Sequence, residues 1–310
     1  MKKIIVCLLM LCLLLPLAVA EENGYAKVYD TQNDPGLLSV RFVWLGEKMH
    51  DDKPGDCMIL KSPDGKIMVL DTGHPASTGY VLTALETMGV EKIDYLVLSH
   101  PHIDHIGGAA KLMDTYPVDA VYTSPVVYAG STYSGFMAAI RRNKVPHIIL
   151  SDGMTLNFGE DVLVEVLNPP AEIEYPKGYP EGSTDFVNNH SLALKFTYGT
   201  STILLCGDLY MPGERKVVDR WGDKLDSDVH KPNHHGASTS TTAAWRKAVS
   251  AKVVIMSNYT LADIYVARKF DKEADLYHTF FDGDVLVQTA GDGEYTVVTV
   301  KEHKEDRFVN

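Results

Sequence analysis

The sequence predicts an α/β fold in which β-sheets are enclosed between helices, and three observations support this. Residues 93–98 are short, apolar and partly β-branched, as a buried strand is. Before them, Tyr80 to Met88 carries apolar side chains on one helical face, and Gly89 is placed to end that helix. After them, apolar residues recur at helical spacing from Ile106. Alternation of strands and helices is typical of layered α/β structure.

The N-terminal twenty residues have the pattern of a cleavable signal peptide. Lys2 and Lys3 precede an apolar run, and Ala18-Val19-Ala20 is an A-x-A cleavage pattern. The run is short for a membrane span. We therefore expect a signal peptide at 1–20, no membrane span after its cleavage, and a secreted or cell-envelope protein.

The remaining chain has room for one large domain or two small ones. Strands are predicted at 37–44, 57–61 and 67–70, with a hairpin turn at 62–65. Residues 169–187 lack an apolar period and contain many Gly and Pro, so we expect a long loop there. The predicted division is an N-terminal extension at 21–36, a single domain at 37–302, and a charged tail at 303–310 that frays.

The charge balance argues against one class of partner. The formal net charge is −12, and it becomes more negative once Lys2 and Lys3 are removed. Nucleic-acid affinity comes largely from Lys and Arg that neutralise phosphates. We therefore expect no stable nucleic-acid complex. Of the four cysteines, Cys57 and Cys206 lie in apolar, strand-like runs outside the signal peptide, and we expect them to be buried and unpaired.

The strongest chemical signal follows the strand at 93–98. Between Ser99 and Gly108 the chain carries His100, His102, Asp104 and His105. His100 and His102 alternate, so an extended backbone can point both imidazoles the same way, and the next two side chains follow on the turn. Divalent metals are bound by imidazole nitrogens and carboxylate oxygens that converge in this manner.

This segment resembles the signature of the metallo-β-lactamase-fold hydrolases. Other segments are similar to the soluble catalytic domain of the ComEC competence proteins and its stand-alone relatives, and together they cover residues 38 to 300. They are Asn188-Asn189-His190-Ser191 before a strand, Gly207-Asp208 at a strand end, and His234-His235-Gly236-Ala237-Ser238 after a strand. The resemblance implies a four-layer αββα fold, with two mixed β-sheets sandwiched between helices.

The resemblance also implies a ligand set for two divalent metals. The first metal would be bound by His100, His102 and His190, the second by Asp104, His105 and His235, and Asp208 would bridge both. An asparagine can stand at the position of the third imidazole in the ComEC branch, which leaves the role of His190 open.

Supporting and catalytic roles follow from the same resemblance. Asp71 and Ser238 would brace the ligands, while Asp104 and His234 would act catalytically. Either His234 or His235 would bind the second metal, and the other would contact the scissile group or protonate a leaving oxygen. Glu214 would orient the loop that follows Asp208.

The function implied is an exported hydrolase in which two metals, Zn²⁺ or alternatively Mn²⁺, activate a bridging hydroxide. The ComEC resemblance favours a phosphodiesterase acting on a small-molecule or polymer phosphoester, either nuclease-like or on the cell wall. Two alternatives remain at this stage. The same metals suit a lactone or β-lactam hydrolase, and the same fold suits a non-catalytic binding protein.

Overall fold

Two β-sheets lie face to face at the centre of the computed structural model, and helices cover their outer faces. The structure describes residues 24–47, 53–305 and 307–308. The predicted signal peptide at 1–20 lies outside these residues. Within them, no helix is both long enough and apolar enough to cross a membrane.

The strands of the first sheet come from both ends of the chain. They are β1 (Leu38–Phe42), β2 (Met58–Lys61), β3 (Ile67–Leu70), β4 (Ile93–Leu98), β5 (Val118–Thr123), β6 (His147–Ile149), β14 (Val285–Thr289) and β15 (Thr296–Thr299). Their spatial order is β15-β14-β1-β2-β3-β4-β5-β6. The sheet is mixed, because β3 to β6 are parallel and the remaining pairs are antiparallel.

The second sheet is also mixed and uses the middle of the chain. Its strands are β7 (Thr155–Phe158), β8 (Val162–Asn168), β9 (Ala193–Tyr198), β10 (Ser201–Cys206), β11 (Val229–Lys231), β12 (Val253–Met256) and β13 (Asp275–His278). They follow the order β13-β12-β11-β10-β9-β8-β7. Strands β10 to β13 run parallel, and β7 to β10 pair antiparallel.

The helices are short and lie on the two outer faces or at the strand ends. They are α1 (24–29), α2 (Thr78–Thr87), α3 (Ile103–Ile106), α4 (Ala109–Thr115), α5 (Ser131–Asn143), α6 (Thr184–Asn189), α7 (Met211–Trp221), α8 (Ala243–Val249), α9 (Ile264–Asp271) and α10 (Thr279–Asp282). Short 3₁₀ helices occur at Pro75–Ser77, Gly222–Leu225 and Asn233–Gly236.

Separate apolar clusters define the four layers. The inner faces of both sheets pack against each other through side chains such as Val40 and Phe196. Helices α2, α4 and α5 bury Leu85 and other apolar residues against the first sheet. Helices α7, α8 and α9 do the same on the second sheet, where Trp245 is fully buried. The expected αββα arrangement is therefore confirmed.

The helix predicted after the metal-binding segment is divided in two. Helix α3 ends at Ile106 and α4 begins at Ala109, with Gly107 and Gly108 between them. A Cβ at Gly107 would lie 2.3 Å from Pro75, and one at Gly108 would lie 2.8 Å from the Thr72 carbonyl oxygen. The glycines allow this close approach, which brings the turn against the loop after β3.

Both ends of the described chain pack against the domain. Tyr29 in α1 donates a hydrogen bond to Asp284 at 2.8 Å. At the other end Phe308 is buried against α9 and Phe281, and Arg307 pairs with Asp282 at 2.8 Å. The prediction that the tail frays is therefore wrong for these residues, because one aromatic side chain anchors an otherwise charged segment. Cys57 and Cys206 are buried and free, as expected.

Candidate metal centre

The turn after β4 brings the first two imidazoles together. Nε2 of His100 lies 2.9 Å from Nδ1 of His102, and His100 is 1% exposed. Because β4 ends at Leu98, the extended segment that follows can present alternate side chains on one side. Two ring nitrogens at this separation can ligate one cation.

A second group converges on Asp208, which follows β10. Its Oδ2 lies 3.3 Å from Nε2 of His105 and 3.4 Å from Nε2 of His235. Nε2 of His100 lies 4.0 Å from the same oxygen. Asp208 therefore stands between the two pairs of imidazoles, where a bridging carboxylate is expected.

The donor atoms in this second group fit a cation. Nε2 of His105, Nε2 of His235 and Oδ1 of Asp208 are buried and have no hydrogen-bond partner among the described residues. Together with Asp56, these side chains offer ligand atoms that all lie within 4.8 Å of one another. Buried polar atoms without partners are costly, and a bound cation would satisfy them.

Asp104 lies at the edge of the second group. Its Oδ2 is 3.9 Å from Nε2 of His105, and its side chain is 18% exposed to the cavity described below. This position allows Asp104 to contribute an oxygen from the solvent side.

Asp71 stands behind the imidazoles and fixes their orientation. It follows β3 and adopts a left-handed φ of 58°, and its Oδ2 lies 2.8 Å from Nδ1 of His105. The Ser99 hydroxyl donates to the same oxygen and lies 3.0 Å from Nδ1 of His100. A carboxylate behind a ligating histidine sets the tautomer and the ring orientation. This is the geometry that the predicted role of Asp71 requires.

The loop after β11 turns two adjacent imidazoles in different directions. His234 and His235 both have left-handed backbones, with φ of 46° and 56°. His235 points into the buried group, while His234 lines the cavity with its Nε2 3.7 Å from Oδ2 of Asp208. The structure thus places His235, rather than His234, among the candidate ligands.

The structure changes two predicted supporting roles. Glu214 is fully buried and accepts hydrogen bonds from the Asn233 amide and from the backbone N–H groups of Thr241 and Thr242. It therefore holds the loop after β11, whereas the prediction gave it the loop after Asp208. Ser238 is exposed, and the hydroxyl that lies 2.5 Å from Nδ1 of His234 belongs to Thr239. The exposed position of Ser238 does not allow the predicted bracing of a ligand, and Thr239 instead contacts His234, which is not among the candidate ligands.

His190 is not among the residues that line the cavity or form the group around Asp208. Its Nδ1 donates to the Phe186 carbonyl at 2.6 Å, and its ring lies against the Phe186 ring with centroids 4.3 Å apart. Asn188, in the same short helix, is 1% exposed, lines the cavity beside His102, and has a buried Oδ1 without a hydrogen-bond partner. The contacts favour Asn188 over His190 at the first metal. The signal for it was the asparagine pair directly before His190.

A model of the Metallo-beta-lactamase superfamily matches residues 50–257, which is more than half of the chain. The chain belongs to the metallo-β-lactamase superfamily.

The relatives of this superfamily member include competence proteins. It is 27% identical over 227 residues to ComE operon protein 3 of Bacillus subtilis, covering 67% of this chain and 28% of that protein. It is 29% identical over 194 residues to competence protein ComA of Neisseria gonorrhoeae, covering 62% and 24%. The uncharacterized protein YcaI of Escherichia coli is 26% identical over 254 residues, covering 80% and 29%. The chain therefore spans less than a third of the length of each of these relatives. The ComEC-like resemblance is confirmed.

Solved structures support the same fold. The metallo-β-lactamase-fold protein YhfI from Bacillus subtilis superimposes with a TM-score of 0.50 at 12% identity, covering 78% of this chain and 95% of that protein. At this identity the similarity establishes the fold alone.

The buried charges of the candidate metal centre favour a bound cation. Burial alone would lower the pKa of His235, but the carboxylates of Asp208 and Asp56 outweigh burial and raise that pKa to about 9. Burial raises the pKa of Asp208, yet His235 and His105 hold it well below its usual range. The buried carboxylates concentrate negative charge, which favours a bound cation.

A cavity of about 560 Å³ opens onto the cluster. The Tyr128 ring meets the His102 ring edge-on at 5.7 Å, and the Tyr210 ring lies 4.8 Å from that of His234. Lys53 contributes a positive charge to the cavity wall. The long loop expected at 169–187 ends at residue 183, because helix α6 begins at Thr184. The loop lies beside the cavity wall near Tyr128, where the hydroxyl of Tyr175 accepts a hydrogen bond from Val127 N–H at 2.9 Å.

Proposed function

We propose that this chain is an exported hydrolase that uses two divalent metals to cleave phosphodiesters. The observation that carries the proposal is the convergence on Asp208 of imidazoles from the turn after β4 and from the loop after β11. A cluster of buried nitrogen and oxygen atoms without hydrogen-bond partners has no evident structural purpose in a metal-free protein.

The residues divide into two sets around Asp208. His100, His102 and the Asn188 amide oxygen would bind the first cation, and His105, His235 and Asp104 the second. Two bound divalent cations would supply an activated water and stabilise negative charge on the substrate. We assign Zn²⁺, with Mn²⁺ as the alternative, and the oxygen of Asn188 favours Mn²⁺ more than a third imidazole would.

We assign His234 to contact with the substrate rather than with a metal. Burial lowers its pKa to about 4, so the imidazole is neutral near pH 7. If the Thr239 hydroxyl donates to Nδ1, the hydrogen on Nε2 faces the cavity. That N–H would then donate a hydrogen bond to an oxygen of the scissile group.

Similarity to the competence proteins supports a phosphodiester as the substrate. The net charge of −12 argues against tight retention of a long polyanion. A short or wall-attached phosphodiester therefore agrees better with the surface than extended nucleic acid does. The alternatives are lactone or β-lactam hydrolysis at the same metals, and a binding role without catalysis.

Turnover of bis-p-nitrophenyl phosphate by purified protein with Zn²⁺ or Mn²⁺ tests the proposal. We expect hydrolysis by the wild type and a rate more than about a hundredfold lower in His102→Ala. Loss of a residue that hydrogen-bonds a metal ligand lowers activity about 10–100-fold, and loss of the ligand itself should lower it further. His147→Ala is the matched control, because His147 lies on β6 and contacts Thr123. Faster turnover of nitrocefin than of the phosphodiester would favour a lactamase. No turnover with any metal would favour a binding protein.

Export is tested separately by the mass of the protein recovered from a host with a secretory pathway. We expect a chain that begins at Glu21. Recovery of the full-length chain in the cytoplasm would contradict cleavage.

A further inference from the structure

A fully buried lysine lies directly behind the second group of ligands. Lys231 ends β11 and is 0% exposed, and its Nζ lies 2.6 Å from Oδ2 of Asp56 and 2.9 Å from the Cys206 carbonyl oxygen. Asp56 is also 0% exposed. Asp56 precedes β2 of the first sheet while Lys231 belongs to the second, so this ion pair joins the two sheets beneath the candidate ligands.

The same carboxylate faces a candidate ligand. Oδ1 of Asp56 lies 3.1 Å from Nδ1 of His235, whose Nε2 faces Asp208. The Ser257 carbonyl oxygen is 3.2 Å from that Nδ1 and is the second acceptor available to it. Asp56 therefore faces Nδ1 of His235 in the same way as Asp71 faces Nδ1 of His105.

The backbone of Asp56 is tied to the ligand turn. Its N–H donates to the Asp104 carbonyl at 3.3 Å, and its own carbonyl accepts from Gly73 N–H at 2.8 Å. Gly55 has a φ of 83°, and a Cβ there would lie 1.6 Å from the Asp104 carbonyl oxygen. The approach of this loop to the ligands thus requires glycine at position 55.

Proximity alone would allow Asp56 to bind the cation itself. Its carboxylate belongs to the group of ligand atoms that lie within 4.8 Å of one another. One of its oxygens instead lies 2.6 Å from Nζ of Lys231 and the other 3.1 Å from Nδ1 of His235. A buried ammonium at 2.6 Å competes with a cation for this carboxylate, because both are positive.

We propose that Lys231 and Asp56 form a positioning pair for His235, in which Lys231 holds the Asp56 carboxylate behind the imidazole and keeps it out of the coordination of the second metal. This inference rests on the proposed dinuclear site. It assigns Lys231 a role in the binding of metal although Lys231 cannot itself be a ligand.

Cation titration and the visible spectrum of Co²⁺ bound to the full chain test the pair. Lys231→Met leaves Asp56 free to coordinate, so we expect the Co²⁺ absorption to weaken as the coordination number rises. In Asp56→Asn/Lys231→Met neither buried charge remains, which avoids the cost of an unpaired one. We expect this double variant to fold and to bind the second cation about 10–100-fold more weakly.

Lys195→Met is the matched control. Lys195 lies on β9 of the same sheet, and its Nζ donates to the backbone carbonyls of Lys224 and Asp226. We expect its cation affinity and Co²⁺ spectrum to equal those of the wild type. If Lys231→Met fails to fold, the double variant decides the question alone.

The outcomes separate this inference from the proposed function. Wild-type affinity and an unchanged Co²⁺ spectrum in folded Lys231 and Asp56 variants would overturn the positioning role while leaving the metal centre intact. Two bound cations without phosphodiester turnover would overturn the proposed substrate but not the positioning role. A wild-type chain that binds no cation would overturn both.

Discussion

Asp71 accepts two hydrogen bonds from Ser99, from its backbone N–H to Oδ1 and from its hydroxyl to Oδ2, each at 2.7 Å. Ser99 directly precedes His100, and Oδ2 of Asp71 also faces Nδ1 of His105 at 2.8 Å. A single carboxylate therefore sets the start of the ligand turn and the orientation of an imidazole at its end.

Asp71→Asn tests this coupling. The amide presents a donor where an oxygen now accepts, so at least one of the three donors around it loses its acceptor. We expect cation affinity to fall about 10–100-fold, as for other partners of ligating histidines. Isothermal titration with Zn²⁺ or Mn²⁺ measures it. Asp94→Asn, on β4 away from the turn, is the control, and an equal loss in that variant would contradict the assignment.

Asn188 and His190 give opposite predictions for the first metal. Asn188→Ala removes the buried amide oxygen that faces the cavity beside His102. We expect it to weaken one of the two binding steps by at least about tenfold. His190→Ala should leave both steps unchanged, because its ring lies against Phe186. A loss of cation affinity in His190→Ala but not in Asn188→Ala would show that His190 is the third ligand of the first metal.

Glu214 is expected to stabilise the fold through the loop that carries His235. Three N–H groups donate hydrogen bonds to the Glu214 carboxylate, and Glu214→Ala leaves them without an acceptor. Each such donor costs about 1–3 kcal/mol, so we expect the free energy of unfolding in urea to fall by about 3 kcal/mol or more. The control is Glu273→Ala, which breaks an exposed ion pair with Arg246 and should cost at most about 1 kcal/mol. An equal fall in the free energy of unfolding in the two variants would show that Glu214 does not stabilise the loop.

His230 makes the protein sensitive to acid. It is fully buried, accepts a hydrogen bond from Trp245 Nε1 at 3.1 Å, and its pKa is lowered by burial from 6.5 to about 3. Between those values the unfolded chain binds a proton that the folded chain excludes. Stability therefore falls with decreasing pH by about 1.4 kcal/mol per unit below pH 6.5.

His230→Gln removes this contribution but keeps an acceptor for Trp245. With metals chelated by EDTA, we expect the wild type to lose about 3 kcal/mol more than the variant between pH 7 and pH 4.5. Urea unfolding of both proteins at several pH values measures the difference. Parallel pH profiles would mean that His230 is protonated in the folded state.

The sequence predicted the parts of the site that lie at strand ends. His100, His102, His105 and Asp208 follow buried apolar strands, and a polar residue at such a position must find partners. The left-handed turn at His234 and His235 was not predictable, because two adjacent non-glycine residues with positive φ are uncommon. That turn decides which of the two imidazoles faces the buried group.

Other features depend on contacts between distant segments. The pairing of Asp56 with Lys231 crosses from one sheet to the other, and no local pattern encodes it. Asn188 lies in the last turn of a short helix and His190 caps its end, so the helix end decides which one faces the cavity. In the tail, one buried aromatic outweighs the charged residues around it.

A dinuclear centre bridged by Asp208 is tested by the number of divalent cations bound per chain. Purified protein equilibrated with Zn²⁺ or Mn²⁺ and then freed of excess metal is assayed by elemental mass spectrometry, with Asp208→Ala in parallel. We expect two cations per wild-type chain and at most one in the variant. No bound cation in the wild type, or two in Asp208→Ala, would contradict it.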